Sequence, residues 1–274
     1  MFGRPTLSDL LARYLECITP TKKSAVSERA RLGAMRRRPI ARVAAHRVTP
    51  ADVAAYRDAR LREVAPATVR RELGLLAHAF DVARREWGYK VKNPVREVRW
   101  PTEPRGRERR LVARFDEAGR LLDACRRARN PFLLPVVEFA LETAMRRGEI
   151  LRLRWEDIDL GSRTATLHET KNGYMRVVPL SSGALRVLRS LPPRPSGHVF
   201  PVTGEAVKLA FKRATRRAGL VDFRFHDLRH EATTRLFERG LELMEVASIT
   251  GHRDPRKLRG YTHLKAEALA RKLG

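Results

Sequence analysis

The run Pro101-Thr-Glu-Pro-Arg-Gly-Arg-Glu-Arg-Arg110 constrains the fold of this chain more than any other stretch. It holds proline, glycine and charge with no apolar periodicity, so no helix or strand with a buried face is expected to run through it. Asn93-Pro94 just before it is a second breaker. The 274-residue chain is therefore expected to build two separate hydrophobic cores. The expected division is a small helical domain over 1–100, a basic linker over 101–110 and a larger domain over 111–274.

The first region reads as short helices. Thr6 or Ser8 can cap a helix over Leu7 to Cys17, and Ser24 can cap a basic one reaching about Arg38, where Pro39 interrupts it. Thr49-Pro-Ala-Asp52 joins a cap residue to a proline at the first helical position and leads into Val53 to Glu63. From Pro66, the residues Val69, Leu73, Leu76, Phe80 and Val82 recur near helical spacing until Trp87-Gly88.

Beyond the linker, helices are expected from Phe115 to about Arg129, over the nearly apolar run Phe132 to Met145, and over Glu149 to Arg154. Thr164 to His168 and Met175 to Leu180 flank Asn172-Gly173, and Asn-Gly between β-prone runs is a strong hairpin signal. After Pro192-Pro-Arg-Pro-Ser-Gly197, helices resume. The fold class is mainly α with a small antiparallel β-sheet, an α+β arrangement.

Fifty-seven lysines and arginines against 31 acidic residues give a formal charge of +26. Such an excess favours a polyanionic partner, because neutralising phosphates releases condensed counterions. Cys17 and Cys125 lie far apart without metal-ligand spacing, which excludes a disulfide framework and suits a reducing cytoplasm. The N-terminus lacks a signal pattern, and no apolar run approaches the ~20 residues needed to cross a bilayer. A cytoplasmic location and no membrane partner are expected.

Chemistry-bearing residues fall in separated phrases: Arg146 in Thr143-Ala-Met-Arg-Arg-Gly-Glu149, Lys171 before Asn172-Gly173, His226-Asp-Leu-Arg229-His230, Gly251-His252, and Tyr261-Thr-His263. Two arginines, a lysine and two histidines can surround a phosphate with donors and still leave a proton carrier. Ionising a tyrosine of pKa ~10 at neutral pH costs about 4 kcal/mol, which a cluster of cations can offset. Arg146 stands out among many arginines because it is expected to end an apolar helix, where an exposed face is least expected. His226 and Arg229, three apart, share a helix face, and His230 can share it as a core or supporting residue. A metal reading of His226-x-x-x-His230 is disfavoured by Arg229 on the same face, so no metal and no cofactor are expected. Glu149 is expected to orient an arginine. The absence of a Gly-x-x-x-x-Gly-Lys-Ser/Thr loop and of a Gly-x-Ser-x-Gly motif sets aside ATP and serine chemistry. The set points to DNA strand breakage and rejoining, with Tyr261 as nucleophile.

The order of these phrases resembles the tyrosine recombinase, or phage integrase, family across almost the whole chain. The resemblance implies a helical DNA-binding domain followed by a catalytic domain with a C-terminal tail helix such as Lys265 to Lys272. It implies that Tyr261 attacks the scissile phosphate, that Arg146, Arg229 and His252 stabilise the transition state, that His226 assists proton transfer and that Lys171 protonates the leaving oxygen. Partners would be double-stranded DNA sites, a homo-tetramer on a Holliday junction assembled from free monomers, and DNA-bending accessory proteins. Arg36, Arg37, Arg70, Arg71, Arg105 and Arg107 are the arginines expected on DNA. The chain departs from the family pattern at Ala144, where glycine is common, at Leu258, where threonine is frequent, and at Gly260, where a basic residue is. A glycine within the segment carrying Tyr261 loosens it by roughly 1 kcal/mol. Two other readings share the DNA partner: a type IB topoisomerase-like nicking-closing enzyme, and a non-catalytic regulator descended from a recombinase.

Overall fold

The computed structural model describes residues 5–103, 110–111, 115–168, 175–192 and 196–261. The chain divides into two units, Met1–Gly106 and Arg107–Gly274.

In the first unit, two reciprocal caps fix helix starts. Thr6 accepts from the Asp9 amide while the Asp9 carboxylate accepts from the Thr6 amide, opening α1 (Leu7–Cys17). Thr49 and Asp52 repeat the device at α3 (Pro50–Leu61). Between them lies α2 (Ala25–Arg36), where Ser24 precedes the helix but its hydroxyl makes no cap bond. A 3₁₀ turn over Pro39–Arg42 follows, since proline supplies no amide for continuing an α-helix. The long helix α4 (Pro66–Arg85) completes the unit. Leu7, Leu11, Tyr14, Leu32, Met35, Val53, Leu73, Leu76 and Phe80 pack into one core. Polar groups that enter this core are paired, as burial demands. Arg60 bridges Glu72 at 2.8 Å, and the Tyr56 hydroxyl donates to the same carboxylate at 2.7 Å. Glu28 accepts from Thr19 at 2.9 Å and from Lys22 at 3.1 Å.

The second unit is built around α6 (Leu133–Thr143), whose Leu133, Val136, Val137, Phe139 and Ala140 are all buried. Packed with it are α5 (Glu117–Arg126), α8 (Ser182–Ser190), α9 (Gly204–Arg217) and α10 (Phe225–Glu238). Phe139 meets Phe200 with ring centroids 5.4 Å apart. A three-stranded antiparallel sheet runs β1 (Ile158–Asp159), β2 (Thr164–Leu167), β3 (Arg176–Pro179), with Ala165 opposite Val178. Ala165, Leu167 and Val178 face the core, as period-2 alternation requires. The two-residue β1 follows a 3₁₀ turn over Trp155–Asp157, and the Asn172-Gly173 turn lies outside the described residues. A smaller cluster of Ala144, Ala232, Leu236, Val246, Ala247 and Leu258 joins α10 to α11 (Leu243–Thr250) and to the 3₁₀ helix Pro255–Tyr261. The expected tail helix Lys265 to Lys272 lies outside the described residues.

One boundary differs in a way that matters. The apolar helix α6 stops at Thr143 because Ala144 adopts a left-handed φ of 52°, a conformation that costs an L-residue roughly 1–2 kcal/mol. Arg146 therefore does not end that helix; it caps the start of α7 (Arg147–Arg152). Its amide donates to Glu149 at 2.9 Å, so α7 begins on an arginine whose guanidinium folds back to the same carboxylate.

Candidate active site

Three elements converge on one basic pocket. The Ala144 turn supplies Arg146, α10 supplies His226, Arg229 and His230, and the end of α11 with the 3₁₀ helix supplies His252 and Tyr261.

Arg229 is 4% exposed and is held by backbone rather than by carboxylates. Its Nη1 donates to the Ala144 carbonyl at 2.7 Å and its Nη2 to the Thr250 carbonyl at 2.6 Å. The strained turn at Ala144 thus presents the carbonyl that grips the guanidinium. Burial first, then the charges of Arg146 and Arg176, lower the proton affinity of Arg229, yet a guanidinium stays charged at neutral pH.

Arg146 is clamped from behind. Its Nη1 donates to Glu149 Oε1 at 2.7 Å, and its side chain keeps 24% exposure toward solvent. Glu149, 2% exposed, also accepts from Arg176 Nη2 at 3.0 Å. Burial alone would raise the Glu149 carboxyl; Arg176, the Arg146 amide and the Arg146 guanidinium together hold it below the usual carboxylate range. Glu149 therefore joins two arginines into one preorganised group.

Arg176 was not foreseen, although alternation on β3 sets it on the core-facing side with Val178 and opposite Leu167. Its side chain is 13% exposed and lies against Gly251, where any Cβ would collide with the guanidinium. Gly251 is needed a second time for its φ of 70°, which ends α11 and lets the amides of Gly251 and His252 both return to the Ala247 carbonyl. The glycine signal was visible in the sequence; the arginine it accommodates was not.

His252 Nδ1 lies 2.6 Å from Thr250 Oγ1, and its Nε2 faces Arg229 Nη2 at 3.5 Å. Desolvation, then Arg229, Arg146 and Arg176, push its pKa down to about 4, so the imidazole is neutral at pH 7. His226 stays solvent-exposed, and its ring meets His230 edge-on at 5.1 Å. Packing around the ring, then His230 and Arg229, lower its pKa below the usual imidazole value. The Tyr261 hydroxyl contacts His230 Nδ1, and the two rings stack at 5.5 Å. His230, read from sequence as a core or supporting residue, is thus the group in contact with the hydroxyl of Tyr261. A pocket of about 510 Å³ opens beside Arg229 and His226, floored by Phe211, Phe223 and Phe225 and rimmed by Arg147, Lys208, Lys212 and Arg224.

The geometry thus gathers Arg146, Glu149, His226, Arg229, His230, His252 and Tyr261. Lys171 lies outside the described residues, as do Arg105 and Arg107. In the first unit Arg36, Arg37 and Arg71 are exposed, whereas Arg70 is engaged: it lies over the Trp100 ring at 5.4 Å, donates to the Pro101 carbonyl at 2.9 Å and pairs with Glu103 at 3.1 Å. Among the described residues no helix is long and apolar enough to cross a membrane.

Comparison with known proteins agrees along both units. Residues 112–268 match the phage integrase family, and residues 4–100 match the phage integrase N-terminal domain. The chain is 45% identical over 277 residues to a shufflon-specific DNA recombinase of Escherichia coli, covering 98% of this chain and 71% of that protein. It is 31% identical over 246 residues to the tyrosine recombinase XerC of Xanthomonas axonopodis pv. citri, covering 81% of this chain and 78% of that protein. A lambda integrase dimer bound to a COC' core site shares the fold with a TM-score of 0.77 at 23% identity, over 92% of this chain and 97% of that one. A lambda integrase tetramer bound to a Holliday junction gives a TM-score of 0.76 at 23% identity, over 91% and 78% of the two chains. Matched in both of its units and over nearly its full length, the chain belongs to the phage integrase family, the tyrosine recombinases.

Proposed function

We propose that the protein is a site-specific DNA recombinase that cuts and rejoins double-stranded DNA through a covalent Tyr261 intermediate. Tyr261 Oη attacks the scissile phosphorus, the bond to the 5′-oxygen breaks, and a 3′-phosphotyrosine and a free 5′-hydroxyl result. Lys171 delivers the proton to the leaving oxygen, and His226 assists proton transfer. Arg146, Arg229 and His252 stabilise the charge that builds on the non-bridging oxygens. Because the phosphodiester energy is kept in the phosphotyrosine, rejoining by a second 5′-hydroxyl needs neither ATP nor metal. One observation carries this reading: a buried arginine locked by two backbone carbonyls beside a neutral histidine, with a tyrosine hydroxyl against His230, the next residue of α10.

The first unit would bind DNA through Arg36, Arg37, Arg70 and Arg71, with Arg105 and Arg107 between the units. The tetramer on a Holliday junction seen for lambda integrase supports the same assembly here, built from monomers in the cytoplasm. Among integration, excision, inversion and dimer resolution, the 45% identity to a shufflon-specific recombinase favours inversion.

The test is a nicked suicide substrate from the native locus, incubated in EDTA with wild-type protein or Tyr261→Phe and resolved on a denaturing gel. A DNA-linked protein band with the wild type alone is expected. DNA binding with no covalent band from either protein would sink the catalytic reading and leave a DNA-binding regulator.

A further inference from the structure

Thr250 closes α11 directly before Gly251, is fully buried, and touches two of the candidate catalytic groups at once. Its carbonyl accepts from Arg229 Nη2 at 2.6 Å. Its hydroxyl lies 2.6 Å from the Val246 carbonyl and 2.6 Å from His252 Nδ1.

A hydroxyl has one proton to give and two lone pairs to receive with. A carbonyl oxygen can only accept, so the Thr250 proton is committed to Val246, in the i to i−4 bond common for threonine within helices. The contact with His252 must then run the other way, with Nδ1–H donating and Thr250 Oγ1 accepting. The opposite assignment would set two oxygen lone pairs against each other at 2.6 Å. A neutral imidazole carries one proton, so Nε2 is left with its lone pair.

We propose that Thr250 is a positioning residue that fixes His252 as the Nδ1–H tautomer, leaving Nε2 as the proton-accepting atom of the site. This rests on the recombinase reading for its catalytic meaning, though not for its geometry. Without a proton on Nε2, His252 cannot donate to a phosphate oxygen. It gains that ability by taking one proton from solvent onto Nε2 when the phosphodiester arrives, forming an imidazolium held by Thr250 on one side and by the phosphate on the other. Burial opposes this uptake most in the free protein, and after it the charged and titratable neighbours Arg229 and His230 on α10, Arg146 at the start of α7 and Arg176 on β3. The incoming phosphate supplies the negative charge that offsets them. The imidazole is thereby kept from donating until substrate is present.

The experiment uses the full chain labelled with ¹⁵N-histidine and long-range proton–nitrogen correlation of the imidazoles at pH 7. Signals of His252 are assigned by their loss in His252→Gln. The wild type and Thr250→Ser are expected to show the Nδ1–H pattern, and Thr250→Val to lose it while the other histidine signals hold their positions. On a suicide substrate at saturating concentration, Thr250→Val is expected to form adduct about tenfold more slowly, the scale of one lost hydrogen bond, with DNA affinity within about twofold, and Thr250→Ser to recover the rate. An Nε2–H pattern in the wild type overturns the proposal, and so does an unchanged Nδ1–H pattern in Thr250→Val. If Thr250→Val does not fold, the wild-type and serine spectra still decide. Failure of every protein to form adduct would count against the recombinase reading alone, because the tautomer is read without turnover.

Discussion

Glu149 is an acid between two arginines of a strongly basic site, and Glu149→Gln isolates what its charge contributes. The glutamine keeps the shape and one acceptor oxygen, but turns the other oxygen into a donor facing donors. In the wild type that carboxylate receives the Arg146 guanidinium at 2.7 Å, the Arg146 amide at 2.9 Å and Arg176 at 3.0 Å. Arg176 is the exposed nerve of the substitution: its side chain is 13% accessible, and its Nε already has no hydrogen-bond partner among the described residues. Removing one member of a buried ion pair costs about 3–5 kcal/mol, and the 24% exposure of Arg146 lets water take part of its share. The expected loss is therefore about 3 kcal/mol. In a unit the size of Arg107–Gly274 this lowers Tm by about 6–12 °C. Thermal unfolding followed by circular dichroism, with and without saturating duplex DNA, measures it. Bound phosphate replaces the missing negative charge, so DNA should narrow the gap between variant and wild type. Acid should narrow it too. The folded-state pKa of Glu149 is depressed, so its contribution is complete above the ordinary value of ~4.3 and is lost as pH falls through the lower folded value. A loss below about 1 kcal/mol, or a gap indifferent to both DNA and acid, would refute this account of the site.

Gly251→Ala meets both a left-handed φ and the Arg176 guanidinium, and should cost about 1–3 kcal/mol by urea unfolding. Combined with Arg176→Ala the cost should fall short of the sum, since one collision is shared; strict additivity would show that the two residues do not meet. Tyr56→Phe removes the bond to Glu72 inside the first unit and should cost about 1 kcal/mol by the same assay, a result near zero denying that the bond matters. For DNA binding, Arg71→Gln should lower the slope of log K against log salt by about 0.9, as loss of one phosphate contact does, whereas Arg70→Gln should lower it less because Arg70 is already committed to Glu103. Equal slopes for the two variants would remove the distinction.

The helices of the first unit were legible because their starts are written locally: Thr6 with Asp9, Thr49 with Asp52, and Pro50 and Pro66 at first positions. Ser24 misled for the same reason, since a cap-type residue need not form the bond. In the second unit the apolar run of α6 was clear, but its end was not. A left-handed alanine has no sequence signature, and it moved Arg146 from the end of one helix to the start of another. Strand β1 is two residues long, too short for any period to register. Within the site, phrases with fixed spacing drew attention to Arg229 and His252, whose chemistry is carried by charge or ring. Arg176 and Thr250 escaped because their importance lies in which atoms they touch across the fold. Arg176 sits on the core-facing side of a four-residue strand, too short for its break in alternation to stand out, and Thr250 looks like any helical threonine until Val246 and His252 are seen to claim its hydroxyl.

The turn that carries Tyr261 is fastened at two points, by Leu258 and by the contact and stacking of Tyr261 on His230. Leu258 is fully buried among Ala144, Ala232, Val246 and Ala247, while Gly260 beside the tyrosine is exposed. Residues three apart eclipse on a 3₁₀ helix, so Leu258 and Tyr261 hang from the same side and leave together. Withdrawing the leucine costs about 2 kcal/mol and parting Tyr261 from His230 about 1 kcal/mol more, still far less than unfolding the unit. At that cost roughly one molecule in a hundred or fewer carries the tyrosine turn unmoored at any moment. The mooring of Tyr261 thus rests in part on a leucine that has no polar group of its own to offer the site.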